Sequence, residues 1–321
     1  MSQPRVLIID ALNMYFRAYI VDPSLSTNGQ PIGGVKGFLK ILQKLVRETK
    51  PDHIVIAWDG AGGSQKRKAV NKGYKEGRKP IRLNRDIRTL TENEELKNKV
   101  WQQTRLIEYL NEMPISQTML PAVEADDVIA FVSRLSSFAD WQKVIVSSDK
   151  DFFQLCDDNP VVLRPIQKQV MNTKRLVEEY SIHPNNMALA RAIAGDTSDN
   201  LPGINGVGLG TIKKRFPFFA DEEFCTIDRL MDFCDEAESN LKAFSSILEG
   251  RAVVEQNYKL MQLYAPSLSP QGKSKVRFAI EDAEQLFNKT GVQGMMIEDG
   301  FGTFDWSSLF QCMRRIVVDN K

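Results

Sequence analysis

Three carboxylates stand together in Val123-Glu124-Ala125-Asp126-Asp127, just after Pro121 and just before the apolar run Val128-Ile129-Ala130-Phe131-Val132. A proline and acidic residues ahead of an apolar segment predict the first turn of a helix, where free backbone N–H groups favour negative charge. This explains one or two acids but not three, because carboxylates about 4 Å apart repel by roughly 4 kcal/mol at an effective dielectric constant near 20. The cluster must be solvated, protonated or neutralised by a cation.

Acidic residues also end three short apolar runs, at residues 5–10, 53–59 and 143–151, which have the length of buried parallel strands. A further strand is predicted at 115–120 and an edge hairpin at 161–171. Helical spacing is present at 35–47 and 93–113. This alternation predicts an α/β fold with a mainly parallel sheet flanked by helices.

In such a sheet, ligands bind beyond the carboxyl ends of the strands. We therefore expect the strand-end acids to converge with the helix-opening acids, and Asp196 and Asp199 to close the crevice. The strand-end acids are Asp10, Asp59, Asp149 and Asp151. Oxygen ligands favour Mg²⁺ or Mn²⁺ over zinc, and paired ions of this kind serve phosphodiester hydrolysis. Taken singly, each acid has the alternative of capping a helix or forming a turn.

The chain has 321 residues, of which 42% are hydrophobic and 26% charged, as expected for one large or two modest globular domains. No apolar run approaches the roughly 18 residues of a membrane span, and the N-terminus lacks a signal-peptide pattern. We expect a cytoplasmic protein without membrane contact.

The four cysteines are scattered and form no Cys-x-x-Cys pair, which argues against zinc and for reduced thiols. Only His53 and His183 occur, and neither has an evident partner in the sequence. Catalysis by a Ser-His or Cys-His pair is therefore not expected.

Basic residues are concentrated in one segment, residues 66–88, in which Glu76 and Asp86 are the only acidic residues. They are Lys66, Arg67, Lys68, Lys72, Lys75, Arg78, Lys79, Arg82, Arg85 and Arg88. Such a block indicates a polyanionic partner. Its glycines and weak apolar pattern predict a mobile, partly helical segment.

From Met187 the chain is predominantly helical, so we predict a boundary between residues 1–185 and 186–321. Helices are expected near 187–194, 230–234, 241–248, 251–263 and 283–288. Gly203-Ile204-Asn205-Gly206-Val207-Gly208 predicts tight turns whose backbone can approach a phosphate. Gly33 and Gly34 allow a phosphate contact at a helix start or a plain loop-to-helix join.

The ordered motifs resemble the 5′-nuclease, or flap endonuclease, family, which includes the 5′-nuclease domain of bacterial DNA polymerase I and stand-alone phage 5′–3′ exonucleases, some called phage RNase H. The motifs are Ile9-Asp10, Trp58-Asp59, Tyr74-Lys75-x-x-Arg78, Val123-Glu124-Ala125-Asp126-Asp127, Ser148-Asp149-Lys150-Asp151, Gly195-Asp196-x-x-Asp199-Asn200 and Gly203-x-x-Gly206-x-Gly208.

The resemblance implies a PIN-like sheet, a helical arch at about 62–100, and a helix–three-turn–helix motif at about 187–216 in the C-terminal domain. It implies a nuclease that cuts branched or nicked duplex DNA near a 5′ end with two Mg²⁺ ions, which Mn²⁺ can replace. RNA primers, in RNA–DNA hybrids, are a further candidate substrate. One metal would be held by Asp10, Asp59, Glu124, Asp126 and Asp127, and the other by Asp149, Asp151, Asp196 and Asp199.

The resemblance also assigns Lys75, Arg78 and Arg67 to the scissile phosphate, while Tyr74 either stacks on a base or packs. Residues expected to contact DNA are Gly33, Gly34, Tyr74, Arg191, Gly203, Gly206, Gly208, Lys213 and Lys214. The resemblance also implies that the hairpin carbonyls can bind a K⁺ ion. A monomer with replication-protein partners is expected.

Two features depart from the family pattern. Gly210 stands where many relatives carry a basic residue, and residues 266–321 match no motif. The stretch 294–306 is expected to cover the core, with partner docking as the alternative. No polymerase domain follows, which favours a stand-alone enzyme. A DNA-binding protein without catalysis and a small PIN-type RNase are the competing hypotheses.

Overall fold

A computed structural model describes residues 3–79, 81–84, 87, 90–237 and 241–319. The strands of its central sheet are β1 (Arg5–Asp10), β2 (His53–Trp58), β3 (Ser116–Met119), β4 (Gln142–Val146), β5 (Pro160–Arg164) and β6 (Gln169–Met171). Their order is β3-β2-β1-β4-β5-β6, and neighbours are parallel except for the β5–β6 hairpin at the edge. The predicted α/β fold and edge hairpin are confirmed.

Helices surround the sheet and make up most of the chain beyond residue 184. They are α1 (Ala11–Val21), α2 (Gly33–Thr49), α3 (Gln65–Val70), α4 (Glu92–Asn111), α5 (Ala125–Val132), α6 (Thr173–Tyr180), α7 (Pro184–Ala194), α8 (Leu209–Arg215), α9 (Ile227–Glu236), α10 (Lys242–Glu249), α11 (Arg251–Met261), α12 (Pro270–Arg277), α13 (Lys289–Glu298) and α14 (Trp306–Asp319). A small antiparallel pair, β7 (Gly195–Asp196) and β8 (Leu201–Pro202), separates α7 from α8. Across the described ranges, every helix is too short or too polar to span a bilayer.

The strand register explains why acids from distant parts of the chain meet. Strand β1 pairs in parallel with β2 through Asp10 and Ala57, and with β4 through Ile9 and Val146. Because parallel strands end at the same edge, the residues that follow β1, β2 and β4 lie side by side. The predicted crevice at this edge therefore exists.

Each face of the sheet supports its own apolar core, since successive strand residues point to opposite sides. Val6 and Ile8 face α5 and much of the helical half of the chain, and this core continues past residue 185 as far as α12. Leu7 and Ile9 face α1, α2 and α4. The division into domains stays a prediction.

The C-terminal helices α13 and α14 pack on the second core. Met296, Phe301 and Phe304 are buried there, and the Lys36 amine donates to the Phe301 carbonyl at 2.9 Å. The expectation that residues 294–306 cover the core is confirmed, with Ile297 as an exception at 79% exposure.

The helix predicted at 283–288 is wrong. A π-helical turn at Phe278–Asp282 ends α12, and the chain then runs without helix to Asn288, whose side chain caps α13 by accepting from the Gly291 N–H at 3.0 Å. Gln285 instead turns inward and contacts His53. A tertiary contact has overridden local helix propensity here.

The basic segment is more closely packed than expected. Among the residues of this segment that the structure describes, only Gln65–Val70 is helical, while Tyr74 and Leu83 are buried against the rest of the protein. The predicted arch positions Arg85 and Arg88 lie outside the described residues.

Candidate active site

Asp10 and Asp59 lie at the ends of neighbouring strands. Asp10 caps α1 by accepting from the Asn13 N–H at 3.1 Å, and it accepts from the Ser147 hydroxyl at 3.0 Å. Asp59 accepts from the Ala125 N–H at 2.6 Å, which ties the end of β2 to the first turn of α5. Burial raises the pKa of Asp10 to about 7, and neighbouring carboxylates act in the same direction.

Asp126, Asp149 and Asp151 continue the acidic cluster. Asp149 accepts from the Asp151 N–H at 2.8 Å. Burial raises the pKa of all three carboxyls, that of Asp151 to about 7, and the charge of Asp149 adds to the rise at both neighbours. Carboxyls perturbed by burial and by one another are typical of functional sites.

Glu124 differs because it is ion-paired on all sides. It precedes α5, is 2% exposed, and accepts from the Lys75 amine at 2.8 Å, from the Tyr74 hydroxyl at 3.1 Å and from the Arg67 guanidinium. Burial alone would raise its pKa, but Arg67 and Lys75 hold that pKa below its usual value. Glu124 is therefore a carboxylate at neutral pH.

Two arginines join acids from the sheet and from the helical half. Arg191 on α7 donates to Asp151 at 2.9 Å and also pairs with Asp196. Arg78 pairs with Asp199 and donates to a nearby backbone carbonyl. Burial opposes ionisation of Asp196, yet its hydrogen bonds and Arg191 lower its pKa. Asp196 and Asp199 thus reach the crevice, as predicted.

An open cleft of about 420 Å³ lies between the end of β4 and the start of β7, beside these acids. It is lined by Asn13, Ser148, Asp149, Lys150, Arg191, Gly195, Asp196, Thr197 and Ser198. The Ser148 hydroxyl oxygen is buried and has no hydrogen-bond partner in the part of the chain that the structure describes. The lining suits a polar or charged ligand rather than an apolar one.

The donor chemistry fits divalent cations. Among the residues that the structure describes, no three acidic, histidine or cysteine side chains are arranged around a common point as metal ligands. The carboxylates outnumber the cations that pair with them, however, and several have raised pKa values. Oxygen-rich sites with excess negative charge suit Mg²⁺ or Mn²⁺.

The region that carries this site matches one protein family. The model of the "5′-3′ exonuclease, N-terminal resolvase-like domain" matches residues 5–181, more than half of the chain. This chain belongs to the 5′-3′ exonuclease family.

Family relatives include stand-alone nucleases and polymerases. The chain is 31% identical over 204 residues to a 5′-3′ exonuclease of Aquifex aeolicus, covering 63% of this chain and 65% of that protein. It is 32% identical over 260 residues to the flap endonuclease Xni of a Shewanella species, covering 81% and 90%. It is 29% identical over 239 residues to DNA polymerase I of Thermus aquaticus, covering 74% of this chain but 26% of the polymerase.

Solved structures show the same fold. A bacteriophage T5 flap endonuclease, in a pseudo-enzyme-product complex with DNA and metal ions, superposes with a TM-score of 0.63 at 15% identity over 93% of this chain and 100% of that one. Human GEN1 bound to Holliday junction DNA gives 0.61 at 11% identity, over 100% and 75%. These likenesses establish the fold of the family in this chain.

Three residues assigned to DNA contact from the family resemblance are used otherwise. The Tyr74 ring is 3% exposed and packs with Leu201, Leu260 and Met261, so it cannot stack on a base and the packing alternative is correct. A Cβ atom on Gly33 would overlap the Asp22 carbonyl. One on Gly34 would crowd the ring of Tyr15 and the amide of Gln102. Both glycines are buried and serve helix packing, not a phosphate contact.

Two further side chains are held by contacts within the protein. Arg191 is largely buried and its guanidinium is engaged by Asp151 and Asp196, so it bridges acids where a DNA contact was predicted. Asp127 accepts from the Ser267 N–H at 2.8 Å and pairs with Arg67 at 3.3 Å. Both oxygens are engaged, as are those of Glu124, so Asp127 ties α5 to the loop before α12, and its assignment as a metal ligand stays a prediction.

The glycine hairpin between α7 and α8 has the predicted tight turns. Gly206 adopts a left-handed backbone (φ 79°), and Gly208 precedes the first turn of α8 with open space around it. Lys214 is exposed, whereas the Lys213 amine donates to the Glu179 carbonyl at 2.8 Å. Lys214 and the hairpin backbone are thus better placed for DNA than Lys213.

Gly203 has a packing role that its neighbours in the motif lack. A Cβ atom there would overlap the Ala194 carbonyl at the end of α7. We expect Gly203→Ala to destabilise the protein by about 1–3 kcal/mol, and Gly208→Ala to change stability by less than about 1 kcal/mol. Urea unfolding of both variants measures this, and equal effects would contradict it.

Sequence patterns missed several site residues. The Ser147 hydroxyl donates to Asp10 and accepts from the Asp149 N–H at 3.1 Å, so it links two strand ends. Asn13 accepts from the Ser148 N–H at 3.2 Å. Their only signal is proximity to Asp10 and Asp149 in the sequence. A small polar residue at a strand end has many ordinary uses.

His53 is also better connected than the sequence indicated. Its ring nitrogen lies 3.0 Å from the Ser116 hydroxyl and 2.9 Å from the Gln285 amide. Burial lowers its pKa to about 4, so the ring is neutral at physiological pH. It lies at the start of β2, at the opposite end of the strand from Asp59, and has a structural role.

The raised pKa of Asp10 predicts a pH dependence of stability without divalent ions. Between its unfolded value of 3.8 and its folded value of about 7, the native carboxyl holds a proton that unfolding releases. Its contribution to stability is therefore present below pH 4 and falls as pH rises, by at most about 1.4 kcal/mol per pH unit.

Asp10→Asn isolates this contribution. In EDTA, its free energy of unfolding should decline less than that of the wild type between pH 5 and 8, and the exposed Asp158→Asn should follow the wild type. Parallel curves for the wild type and Asp10→Asn would contradict the expectation.

Proposed function

We propose that this chain is a structure-specific 5′ nuclease, a flap endonuclease and 5′–3′ exonuclease that hydrolyses phosphodiester bonds near the 5′ end of branched or nicked duplex DNA. The observation that carries the proposal is the crowding of partly buried carboxylates, with raised pKa values, at the strand ends around an open polar cleft. Family membership and the named activities of its relatives support it.

The candidate metal ligands fall into two groups. Asp10, Asp59, Glu124 and Asp126 surround the ends of β1 and β2, and Asp149, Asp151, Asp196 and Asp199 surround the end of β4. Two Mg²⁺ ions, when bound, would activate a water and stabilise charge on the attacking and leaving oxygens. Mn²⁺ has similar ligand preferences and is expected to substitute.

Lys75 and Arg78 supply positive charge beside the acids and are more exposed than Arg67 and Arg191. Lys75 has a left-handed backbone (φ 57°), which a long side chain rarely adopts, and its N–H donates to the Asp199 carbonyl at 2.8 Å. The Arg78 side chain is half exposed at the rim. Both can therefore meet a phosphate entering the cleft and stabilise the charge that develops on it. Arg67, enclosed by Glu124 and Asp127, positions Glu124 instead.

Duplex DNA is proposed to bind along the hairpin between α7 and α8. Gly206, Gly208 and Lys214 offer backbone N–H groups and one exposed cation, which suits contacts to phosphates without sequence preference. The hairpin carbonyls are the proposed K⁺ ligands. Such binding is expected to weaken steeply with salt.

Several finer points belong to the same proposal. RNA primers in RNA–DNA hybrids are included as substrates because a site that reads phosphates and junction shape does not need a deoxyribose. The protein is proposed to act as a monomer in the cytoplasm, together with replication proteins.

The test is cleavage of a 5′-labelled flap duplex, beside the same strand as a single strand and as a blunt duplex. Mg²⁺-dependent cutting close to the junction, abolished by EDTA, is the expected result. An RNA-tailed flap tests primer removal in the same assay. Tight flap binding with no product in Mg²⁺ or Mn²⁺ would overturn the proposal in favour of a DNA-binding protein without catalysis.

A further inference from the structure

Arg17 on α1 has a buried guanidinium nitrogen, Nη1, that finds no hydrogen-bond partner among the described residues. A buried donor left unpaired costs about 1–3 kcal/mol, and more when it is charged. We therefore expect an anionic ligand to bind beside Arg17.

A cleft of about 240 Å³ opens in front of Arg17, between α2 and the turn that follows β5. Lys44 and Lys168 line it together with apolar walls from Ile41 and Leu163. Glu48, the carboxylate of the cleft, lies 3.8 Å from Lys44. Among the described residues Arg17 and Lys168 have no carboxylate partner, so the cleft carries excess positive charge.

The cleft lies at the same edge of the sheet as the acids. Arg17 is one helical turn, about 6 Å, beyond Asn13 on the same face of α1, and Asn13 accepts from Ser148 next to Asp149. The turn carrying Lys168 begins at Pro165, directly after β5, which runs parallel to β4. The Arg17 and Lys168 sides of the cleft therefore face the edge at which the acids lie.

We infer that Arg17, Lys44 and Lys168 form an anion-binding cleft for the phosphate of a nucleotide, next to the acidic site. A guanidinium matches phosphate oxygens in pairs, and lysine adds a point charge. The cleft is smaller than the roughly 300–1,000 Å³ of pockets for larger ligands, so it holds one phosphate-bearing unit. The inference rests on the proposed function in taking nucleic acid as the main source of that phosphate, and a free nucleotide is the other source.

The first arm of the test measures binding of a 5′-flap duplex in Ca²⁺ by fluorescence anisotropy at several salt concentrations. Arg17→Gln and Lys168→Ala should each weaken binding roughly fivefold and lower the salt slope by about one. The double variant should weaken binding little more than either single one, because both cations hold one phosphate. Lys174→Ala is the control, since its side chain is 83% exposed outside the cleft.

The second arm titrates the wild type and Lys168→Ala with inorganic phosphate and with deoxyadenosine monophosphate, followed by calorimetry. If Lys168→Ala no longer binds the mononucleotide but keeps the wild-type salt dependence of flap binding, the cleft is assigned to free nucleotides. If Lys168→Ala changes the salt dependence of flap binding and the wild type binds no mononucleotide, the cleft is assigned to the DNA strand. Unchanged binding in both arms overturns the inference.

Failure of the inference is distinguishable from failure of the proposed function. If the wild type binds and cuts the flap while the cleft variants behave as wild type, only the inference fails. If the wild type binds no flap, the proposed function fails and the mononucleotide arm still tests the cleft. Should Arg17→Gln not fold, Lys44→Ala/Lys168→Ala alters two exposed side chains and gives the same readout.

Discussion

Asp149→Asn/Asp151→Asn is expected to lower the rate of flap cleavage in Mg²⁺ by at least about a thousandfold, or about 4 kcal/mol of transition-state stabilisation. These two carboxylates lie at the end of β4, where burial raises the pKa of both. The charge of Asp149 adds to the rise at Asp151, and the charges of Asp199 and Asp196 add to the rise at Asp149. Asparagine keeps their shape and removes the negative charge that would attract the ions. Single-turnover cleavage of the 5′-labelled flap measures the effect.

Binding and stability separate a catalytic loss from a structural one. In Ca²⁺ the double variant should bind the flap as tightly as the wild type or more tightly, because two negative charges near the phosphates are gone. In EDTA it should be at least as stable, since the repulsion is relieved. Asp158→Asn, an exposed acid just beyond, should cut at the wild-type rate. If the double variant loses less than tenfold in cleavage rate, Asp149 and Asp151 do not have the proposed catalytic role.

Arg67→Met is expected to destabilise the protein by about 3 kcal/mol in EDTA. Its guanidinium is 12% exposed, pairs with Glu124 and Asp127, and donates to the Leu260 carbonyl at 3.0 Å. Removing one member of a buried ion pair leaves uncompensated charge, which typically costs 3–5 kcal/mol. The destabilisation should lie at the lower end of this range because Lys75 still pairs with Glu124. Urea unfolding measures it.

Arg251→Met provides the matched control. Arg251 also contacts two carboxylates, Asp228 and Glu255, but its side chain is 47% exposed, so its loss should destabilise the protein much less than the loss of Arg67. Equal destabilisation by Arg67→Met and Arg251→Met would show that burial of the pair is unimportant.

The cations give the acidic site its shape in this structure. Arg191 holds Asp151 to Asp196, and Arg78 meets Asp199, so acids from the sheet and from the helical half are drawn together. Bound divalent ions would compete with these guanidinium groups for the same oxygens. The proposed ion-binding residues are thus already arranged around positive charge.

The sequence by itself determined the α/β fold, the edge hairpin and the crevice of acids. These follow from short-range patterns: apolar runs of strand length end in acids, and parallel strands bring their ends to one edge. The acidic helix start at Val123–Asp127 is a local signal of the same kind. Membership of the family followed from the order of the motifs, confirmed by the match over residues 5–181.

Tertiary structure alone decided what several of these side chains do. Arg67, Arg191 and Asp127 are remote in sequence from Leu260, Asp151 and Ser267, and only folding places them in contact. Gly33 and Gly34 match a phosphate-binding loop locally, but the helix packing against them fills the space. Residues 283–288 lose their helix to the contact between Gln285 and His53. Local pattern sets backbone preference and charge, whereas the partner of a buried charge depends on chain segments that no short-range pattern describes.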